Sequence, residues 1–203
     1  PGIMLAGSVR TYANRFGAYY GQKIAIYTNN DDGWRTADDL KNMGLEIKAV
    51  IDTRKGIEAL SSSIPSYLGQ TITKTYGRKG IKAIKLSSGS KLNIECLAVS
   101  GGWSSNIHLT CHKRGKPVWD NNFKNFLSGG NGQKDKIIPV GAARGIFEIQ
   151  NIISDTNRVI LSLIKKLSLS MPNRITLTSS KEQYSCSLAV SYTHLTLPTN
   201  LCV

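Results

Sequence analysis

The residues best placed to do chemistry form a turn between two apolar segments. Residues 28–33 read Thr-Asn-Asn-Asp-Asp-Gly and directly follow the apolar run 23–27. In a dinucleotide-binding fingerprint, three glycines occupy this kind of turn so that the backbone can approach a pyrophosphate. The three positions here are Thr28, Asn30 and Gly33, so only the third glycine, which serves helix–strand packing, is present.

The acidic residues near this turn also bear on nucleotide binding. Asp31 and Asp32 would stabilise the start of a following helix, but they would repel a diphosphate. Asp52 stands about twenty residues after Gly33, where a ribose-binding acid is found in dinucleotide domains. We predict that the Rossmann-type geometry is retained while binding at this turn is lost or altered. Whether the turn binds any nucleotide stays open at this point.

A second turn begins at Gly141 and Ala142. It follows the short apolar segment 137–140, predicted to be a strand, and precedes a predicted helix from Ile146 to about Lys166. A strand that feeds a helix aims free backbone N–H groups outward, which suits a phosphate or a carboxylate. The alternative is an ordinary strand-to-helix turn, which the spacing alone favours.

Two histidines and a cysteine are the metal-ligand candidates. His108 and His112 are spaced as two ligands on one helical turn would be, with Cys111 between them. A helix is doubtful before Gly115, and no acidic third ligand is placed. We therefore expect no metal site, and a structural role for His108. Since nothing in the sequence brings a nucleophile and a base together, no residue is predicted to be catalytic.

The elements that must position these residues are of two kinds. A strand, a short helix and a second strand over residues 23–52 predict a parallel βαβ unit. Alternating apolar residues and glycine-containing turns then predict an antiparallel β-meander. Its strands would be Thr71–Tyr76, Ile81–Leu86 and Lys91–Val99. The first eighteen residues, with apolar side chains at helical spacing, predict a helix.

Composition and charge exclude several classes of protein. The 203 residues include 40% hydrophobic and 19% charged residues, which is globular rather than disordered composition. The most apolar run, 159–169, contains two lysines, so we expect no membrane span. Four cysteines without CxxC spacing indicate reduced thiols and a cytoplasmic location. The 26 Lys and Arg against 13 Asp and Glu are dispersed, and we expect no nucleic-acid partner.

Four blocks of sequence carry a resemblance to a known family. They are PGIMLA at 1–6, TNNDDGWRTA at 28–37, AVSGGW at 98–103 with the following His108-Leu109, and GAARG at 141–145. In order and spacing these blocks resemble the α subunits of heterotetrameric sarcosine oxidases. The resemblance extends over about residues 1–170, and the second block is its most specific part.

The resemblance implies an α/β fold and a division of the chain. The family is similar to thioredoxin-reductase-like flavoproteins, which have two Rossmann-like dinucleotide domains. Residues 1–19 would then be a lead-in helix from the first nucleotide-binding domain, 20–104 the inserted second nucleotide-binding-like domain, and 105–170 the return to the first, NAD-binding domain. Residues 171–189 would begin a linker or the next domain. The fold is therefore expected to be incomplete.

Cofactors, site residues and partners follow from the same resemblance. The α subunit would hold NAD, and Gly141 and Ala142 match the position that contacts it. Gly101 and Gly102, in the matched SGGW block, are the other cofactor-binding candidates. FAD and FMN are expected in the complex through the β subunit, and tetrahydrofolate in a C-terminal domain that the chain lacks. The expected partners are the β, γ and δ subunits, and the segment alone is expected to be inactive.

Three hypotheses of function are compatible with the sequence. The first is a partial α subunit of an enzyme that converts sarcosine to glycine, transfers one carbon to tetrahydrofolate and produces hydrogen peroxide. The second is a subunit of a related opine or amino-acid oxidoreductase. The third is a basic binding module with a degenerate Rossmann core.

The last residues of the sequence are expected to be non-native. Residues 190–199 read VSYTHLTLPT, which resembles the translation of a transposase-type sequencing adaptor. We expect residues 190–203 to be a non-native tail, and the chain to be part of a longer protein. No functional role is assigned to residues 190–203.

Overall fold

A computed structural model describes residues 1–112, 115–129 and 137–169. These residues divide into two compact units, Pro1–Gly102 and the residues from Trp103 onward. The predicted boundary at residues 104 and 105 lies two positions later than this division. The predictions for residues 171–189 and 190–203 lie outside the described residues.

The first unit is built on a parallel sheet. In chain order its elements are β1 (Ile3–Leu5), α1 (Ala6–Phe16), β2 (Lys23–Thr28), α2 (Asp31–Asn42), β3 (Glu46–Asp52), β4 (Ser66–Leu68), β5 (Ile72–Tyr76), β6 (Ala83–Leu86), β7 (Lys91–Asn93) and β8 (Cys96–Ser100). Five strands form the parallel sheet in the order β1-β8-β2-β3-β4. The other three form an antiparallel sheet in the order β5-β6-β7.

The predicted βαβ unit is β2, α2 and β3. The Asn30 side chain caps α2 by accepting hydrogen bonds from the N–H groups of Asp32 and Gly33. The helix ends in a Schellman arrangement, in which Gly44 adopts φ +86° and Leu45 N–H donates to Leu40 C=O. The parallel pairing of β2 with β3 confirms the predicted topology.

The predicted helix over the first eighteen residues is wrong at its start. Residues Ile3–Leu5 pair in parallel with Leu97–Val99 of β8, and the helix begins only at Ala6. It ends at Gly17, which adopts φ +59°. Residues 1–19 thus contribute a strand and a helix to the first unit. Helical spacing of apolar residues could not reveal this strand, because its partner lies more than ninety residues away in the sequence.

The meander is confirmed, with one correction at its last strand. The segment Lys91–Val99 divides at Ile94 and Glu95 into β7, which pairs with β6, and β8, which enters the parallel sheet beside β2. The alternation of Leu92, Ile94 and Cys96 crosses the break, so it did not indicate where β7 ends. The edge strand β4 was not predicted.

Alternate residues of the parallel strands are buried on opposite faces of the sheet. Ile24 and Ile26 face one core with Trp34 and Leu40 of α2, together with residues of α1. On the other face, Ala25 and Tyr27 of β2, with neighbouring strand residues, pack against apolar residues of the meander. The first unit therefore has three layers, namely helices, parallel sheet and meander.

The second unit contains α3 (His108–His112), the antiparallel pair β9 (Val118–Asp120) and β10 (Asn125–Leu127), and α4 (Ile149–Leu167). The predicted strand at 137–140 is not a strand, and the predicted helix begins at Ile149 rather than Ile146. A 3-10 turn, Gly141–Arg144, stands before the helix and ends at Gly145, whose φ is +82°. Among the described residues, no helix is long and apolar enough to cross a membrane.

Candidate functional site

The candidate site lies at the carboxyl ends of β2, β3 and β8. Strand β2 is central, with β3 on one side and β8 on the other, and α2 connects it to β3. In open α/β sheets, ligands bind in the crevice at such a point, where the strand order reverses. Three segments border this edge of the sheet: the turn at 28–33, the residues after Asp52, and the SGG sequence after β8.

The side chain of Asn30 closes the crevice between β2 and β8. Its Oδ1 accepts hydrogen bonds from the N–H groups of Asp32 (3.0 Å) and Gly33 (3.3 Å), and from Ser100 Oγ (3.1 Å). Its Nδ2 donates to Asn29 Oδ1 (2.8 Å) and to the Ser100 carbonyl (3.1 Å). Asn30 is fully buried. The amides of Asp32 and Gly33, in the turn of the helix that binds phosphate in a nucleotide domain, are therefore already satisfied by the protein.

Thr28 and Gly33 complete this closed turn. Thr28 Oγ1 accepts a hydrogen bond from Asn30 N–H (3.1 Å) and donates to the Asn30 carbonyl (2.9 Å). A Cβ placed on Gly33 would stand 2.3 Å from Thr28 Oγ1. The third glycine of the fingerprint is thus required for packing of α2 against β2, as the sequence analysis predicted.

The second half of the site is a buried network around Asp52. Asp52 Oδ2 accepts hydrogen bonds from Trp34 Nε1 (2.8 Å) and from Arg54 Nη2 (2.8 Å). Its Oδ1 accepts from the Arg54 backbone N–H (2.9 Å) and Nε (3.1 Å). Asp52 is 0% and Arg54 6% exposed. The carboxylate at the predicted ribose position is therefore engaged inside the protein.

Arg54 also neutralises one of the acidic residues of the turn. Its Nη1 donates to Asp31 Oδ1 at 2.6 Å, so the guanidinium joins the end of β3 to the start of α2. Burial of the guanidinium opposes its charge, but hydrogen bonds and charges from Asp52 and Asp31 together keep the pKa of Arg54 above its ordinary value. Arg54 was not among the residues predicted from the sequence. The sequence signal that could have identified Arg54 was a basic residue two positions after an Asp that ends a strand.

Gly101 and Gly102 directly follow β8 and are half-buried. Gly102 adopts φ +102°, a conformation that side chains rarely take. The Ser100 carbonyl just before them accepts from the amide of Asn30 and from the N–H of Asn29. The SGG sequence is thus tied to the closed turn. Cofactor binding by these two glycines stays a prediction.

Gly141 and Ala142 lie in the second unit, at the start of the 3-10 turn. Gly141 is buried with φ +57°, and its N–H donates to Asp155 Oδ2 of α4 at 3.2 Å. Ala142 is exposed. Arg144 Nη1 donates to the other Asp155 oxygen at 3.0 Å. The Gly141 amide is therefore used within the protein, while Ala142 and the half-exposed Arg144 remain accessible to a ligand.

Asp155 is a further residue that the sequence analysis missed. It is buried on α4, and Arg158 Nη2 donates to its Oδ1 at 2.7 Å. The hydrogen bond from Arg158, with those from Gly141 and the charge of Arg144, outweighs burial and keeps the pKa of Asp155 below its ordinary value. The available signal was an Asp–Arg pair at helical i,i+3 spacing.

The described histidines and cysteines do not form a ligand cluster. His108 and His112 are the two ends of the five-residue helix α3, and both are exposed. No group of three His, Cys, Asp or Glu that could hold a metal occurs among the described residues. Cys111 is exposed, whereas Cys96 is buried in the parallel sheet, where burial raises the pKa of its thiol to about 11.

Comparison with known structures supports the fold of the chain. L-proline dehydrogenase from P. horikoshii superposes with a TM-score of 0.64 at 13% identity, covering 85% of this chain and 31% of that one. A likeness at this identity establishes the fold, a parallel α/β arrangement, and nothing further. No protein-family model matches the chain.

Comparison of sequences identifies the relatives. Sarcosine oxidase subunit alpha from Rhizobium meliloti (strain 1021) is 35% identical over 135 residues, which are 64% of this chain and 14% of that subunit. The subunit of the same name from Corynebacterium sp. (strain U-96) is 34% identical over 143 residues, 63% of this chain and 15% of the subunit. The chain thus spans about one seventh of the length of these relatives. Over the matched residues, the chain is homologous to a segment of sarcosine oxidase subunit alpha.

Proposed function

We propose that this chain is part of the α subunit of a sarcosine oxidase complex. The complex would convert sarcosine to glycine, pass the methyl carbon to tetrahydrofolate and reduce oxygen to hydrogen peroxide. The identity of 35% to a sarcosine oxidase α subunit is the observation that carries the proposal. The β, γ and δ subunits would be its partners, in the cytoplasm.

Within that complex, the closed turn at 28–33 would serve as part of the scaffold and not as a nucleotide site. The crevice beside it is closed by Asn30, and the acid at the ribose position is bonded to Trp34 and Arg54. A dinucleotide at this turn would have to displace a buried ion pair and a helix cap together. Both are costly to break, since an unpaired buried charge is strongly unfavourable.

The turn at Gly141–Arg144 is the better candidate to contact NAD. Two features fit an anionic group there, namely the exposed Ala142 and the half-exposed guanidinium of Arg144. When bound, NAD would supply a diphosphate for this turn to contact. FAD, FMN and tetrahydrofolate would be held by other parts of the complex, outside this chain.

The activity can be tested on the full-length subunit assembled with its partners. With sarcosine, oxygen and tetrahydrofolate as substrates, we expect glycine and hydrogen peroxide in equal amounts. Proline and a set of opines serve as competing substrates, because a related opine or amino-acid oxidoreductase would prefer one of them. A complex that leaves saturating sarcosine unchanged would refute the proposed activity.

The cofactor assignment can be tested separately by measuring bound NAD. Ala142→Glu places a negative charge where the diphosphate is proposed to lie, and Ala142→Gln is its uncharged control of the same size. Because Ala142 is exposed, neither change should unfold the protein. We expect the Glu variant to lose most of its NAD and the Gln variant to keep it. Equal NAD content in both variants would contradict the assignment.

A further inference from the structure

Three lysines stand in one row across the meander. Lys74 of β5 is the direct cross-strand partner of Lys85 of β6, and Lys85 is the direct partner of Lys91 of β7. All three are exposed, on the face opposite the buried Ile84 and Leu86. Directly opposed residues have Cβ atoms about 5 Å apart, and like charges at that distance destabilise a sheet. The row is therefore unfavourable for the isolated meander.

Acidic residues in the described part of the chain do not compensate this row. In the described part of the chain, none of the three lysines forms an ion pair with Asp or Glu. Lys74 and Lys91 instead direct their ammonium groups to Tyr76, at 5.3 and 4.7 Å from the ring centroid. A cation–π contact relieves part of the cost but leaves the positive charge in place.

A basic groove adjoins the same face. It has a volume of about 560 Å³, and Asn93, two residues beyond Lys91 on β7, lies on its wall. Lys23, Lys79 and Lys82 also line the groove. The one acidic residue in it, Glu95, accepts hydrogen bonds from the N–H groups of Gln22 and Lys23. We call the lysine row and the groove together the basic face.

We propose that the basic face is the docking surface for an extended acidic segment of another subunit. The inference rests on the proposed function, because it names the surface through which this chain meets its complex. The lysine row spans two strand spacings, about 10 Å, and alternate side chains of an extended segment are about 7 Å apart. Alternate carboxylates of such a segment can therefore contact successive lysines of the row.

The aromatic residues on this face argue against a nucleic acid as the occupant. Proteins that bind single strands stack the bases on exposed aromatic rings. Tyr76 lies beside the lysine row, and two ammonium groups already approach its ring. Tyr20 lines the groove, and its ring lies against Gly2 and Gly80. Carboxylates need only the ammonium groups of the exposed lysines.

The test replaces the row with an uncharged one in the full-length subunit. The variant is Lys74→Gln, Lys85→Gln and Lys91→Gln together. A matched control changes three exposed lysines elsewhere, Lys55→Gln, Lys116→Gln and Lys165→Gln. Each protein is titrated with the other subunits, and binding, melting temperature and binding of labelled oligothymidylate are measured.

We expect the row variant to bind the other subunits about tenfold more weakly than the wild type, since three exposed ion pairs are lost. Its melting temperature should be equal or higher, because the repulsion between lysines is removed. The control should bind normally. Normal assembly of the row variant would overturn the proposal. If that variant also lost oligothymidylate binding, the occupant of the basic face would be a nucleic acid. A complex that assembles through this face without oxidising sarcosine would refute the proposed activity alone.

Discussion

Asp52 and Arg54, two residues apart at the end of β3, form a buried ion pair in which Nη2 lies 2.8 Å from Oδ2. The same carboxylate accepts from Trp34 of α2, and the same guanidinium reaches Asp31 at the start of α2. The pair therefore joins the strand to the helix at the place where a nucleotide domain would hold its ligand. Asp52, at a position typical of ribose binding, serves here to join β3 to α2.

Breaking this pair should be costly. Asp52→Asn leaves the Arg54 guanidinium buried without its counter-charge, and we expect a loss of about 3–5 kcal/mol in the free energy of unfolding. The control is Asp39→Asn, which removes a surface pair with Arg10 and should cost less than about 1 kcal/mol. Chemical denaturation of the full-length protein measures both. If Asp52→Asn lowered the free energy of unfolding as little as the control, the buried network would not be important for stability.

Two substitutions separate the roles of Asn30 as a helix-capping acceptor and as a hydrogen-bond donor. Asn30→Asp keeps an oxygen that accepts from the helix amides but loses the donation to Asn29 and Ser100. Asn30→Ala loses both, and the cap alone is worth about 1 kcal/mol. We therefore expect both variants to be destabilised, with Ala the worse of the two. If Asp is the worse, repulsion from the neighbouring Asp31 and Asp32 outweighs capping, and the interpretation of the turn must change.

The stability of the second unit should depend on pH through Asp155. Its pKa is lowered in the folded state, so its contribution to stability is complete above the ordinary carboxyl pKa of about 3.9 and is lost as the pH falls through the lowered value. We expect Asp155→Asn to destabilise the protein near neutral pH, and the difference from wild type to shrink in acid. Urea denaturation at a series of pH values measures this difference in the free energy of unfolding. A difference independent of pH would contradict the assigned ion pairs.

The two described cysteines should react differently with alkylating reagents. Cys96 is buried with a pKa raised to about 11, whereas Cys111 is exposed. Because the thiolate is the reactive form, we expect Cys111 to be labelled in the native protein and Cys96 only after unfolding. Mass spectrometry of digested peptides gives the extent at each position. The raised pKa also predicts a loss of stability as the pH rises above about 9, where the unfolded thiol ionises first.

Local signals in the sequence predicted the βαβ unit and the meander. Each depends on residues close together in the chain, such as the turn at 28–33 before α2. The same reasoning located the turn at 28–33 and predicted its departure from nucleotide binding. The resemblance of four sequence blocks to sarcosine oxidase α subunits is confirmed by relatives that are 34% and 35% identical over the matched residues.

Tertiary structure alone decided the features that depend on distant partners. Strand β1 exists because β8 pairs with it, and the break at Ile94 and Glu95 exists because β8 belongs to a different sheet from β7. The lysine row is visible only once the register of three strands is known. Neither periodicity nor residue type records which distant segments pair, because burial and pairing free energies are realised only when the whole sheet assembles.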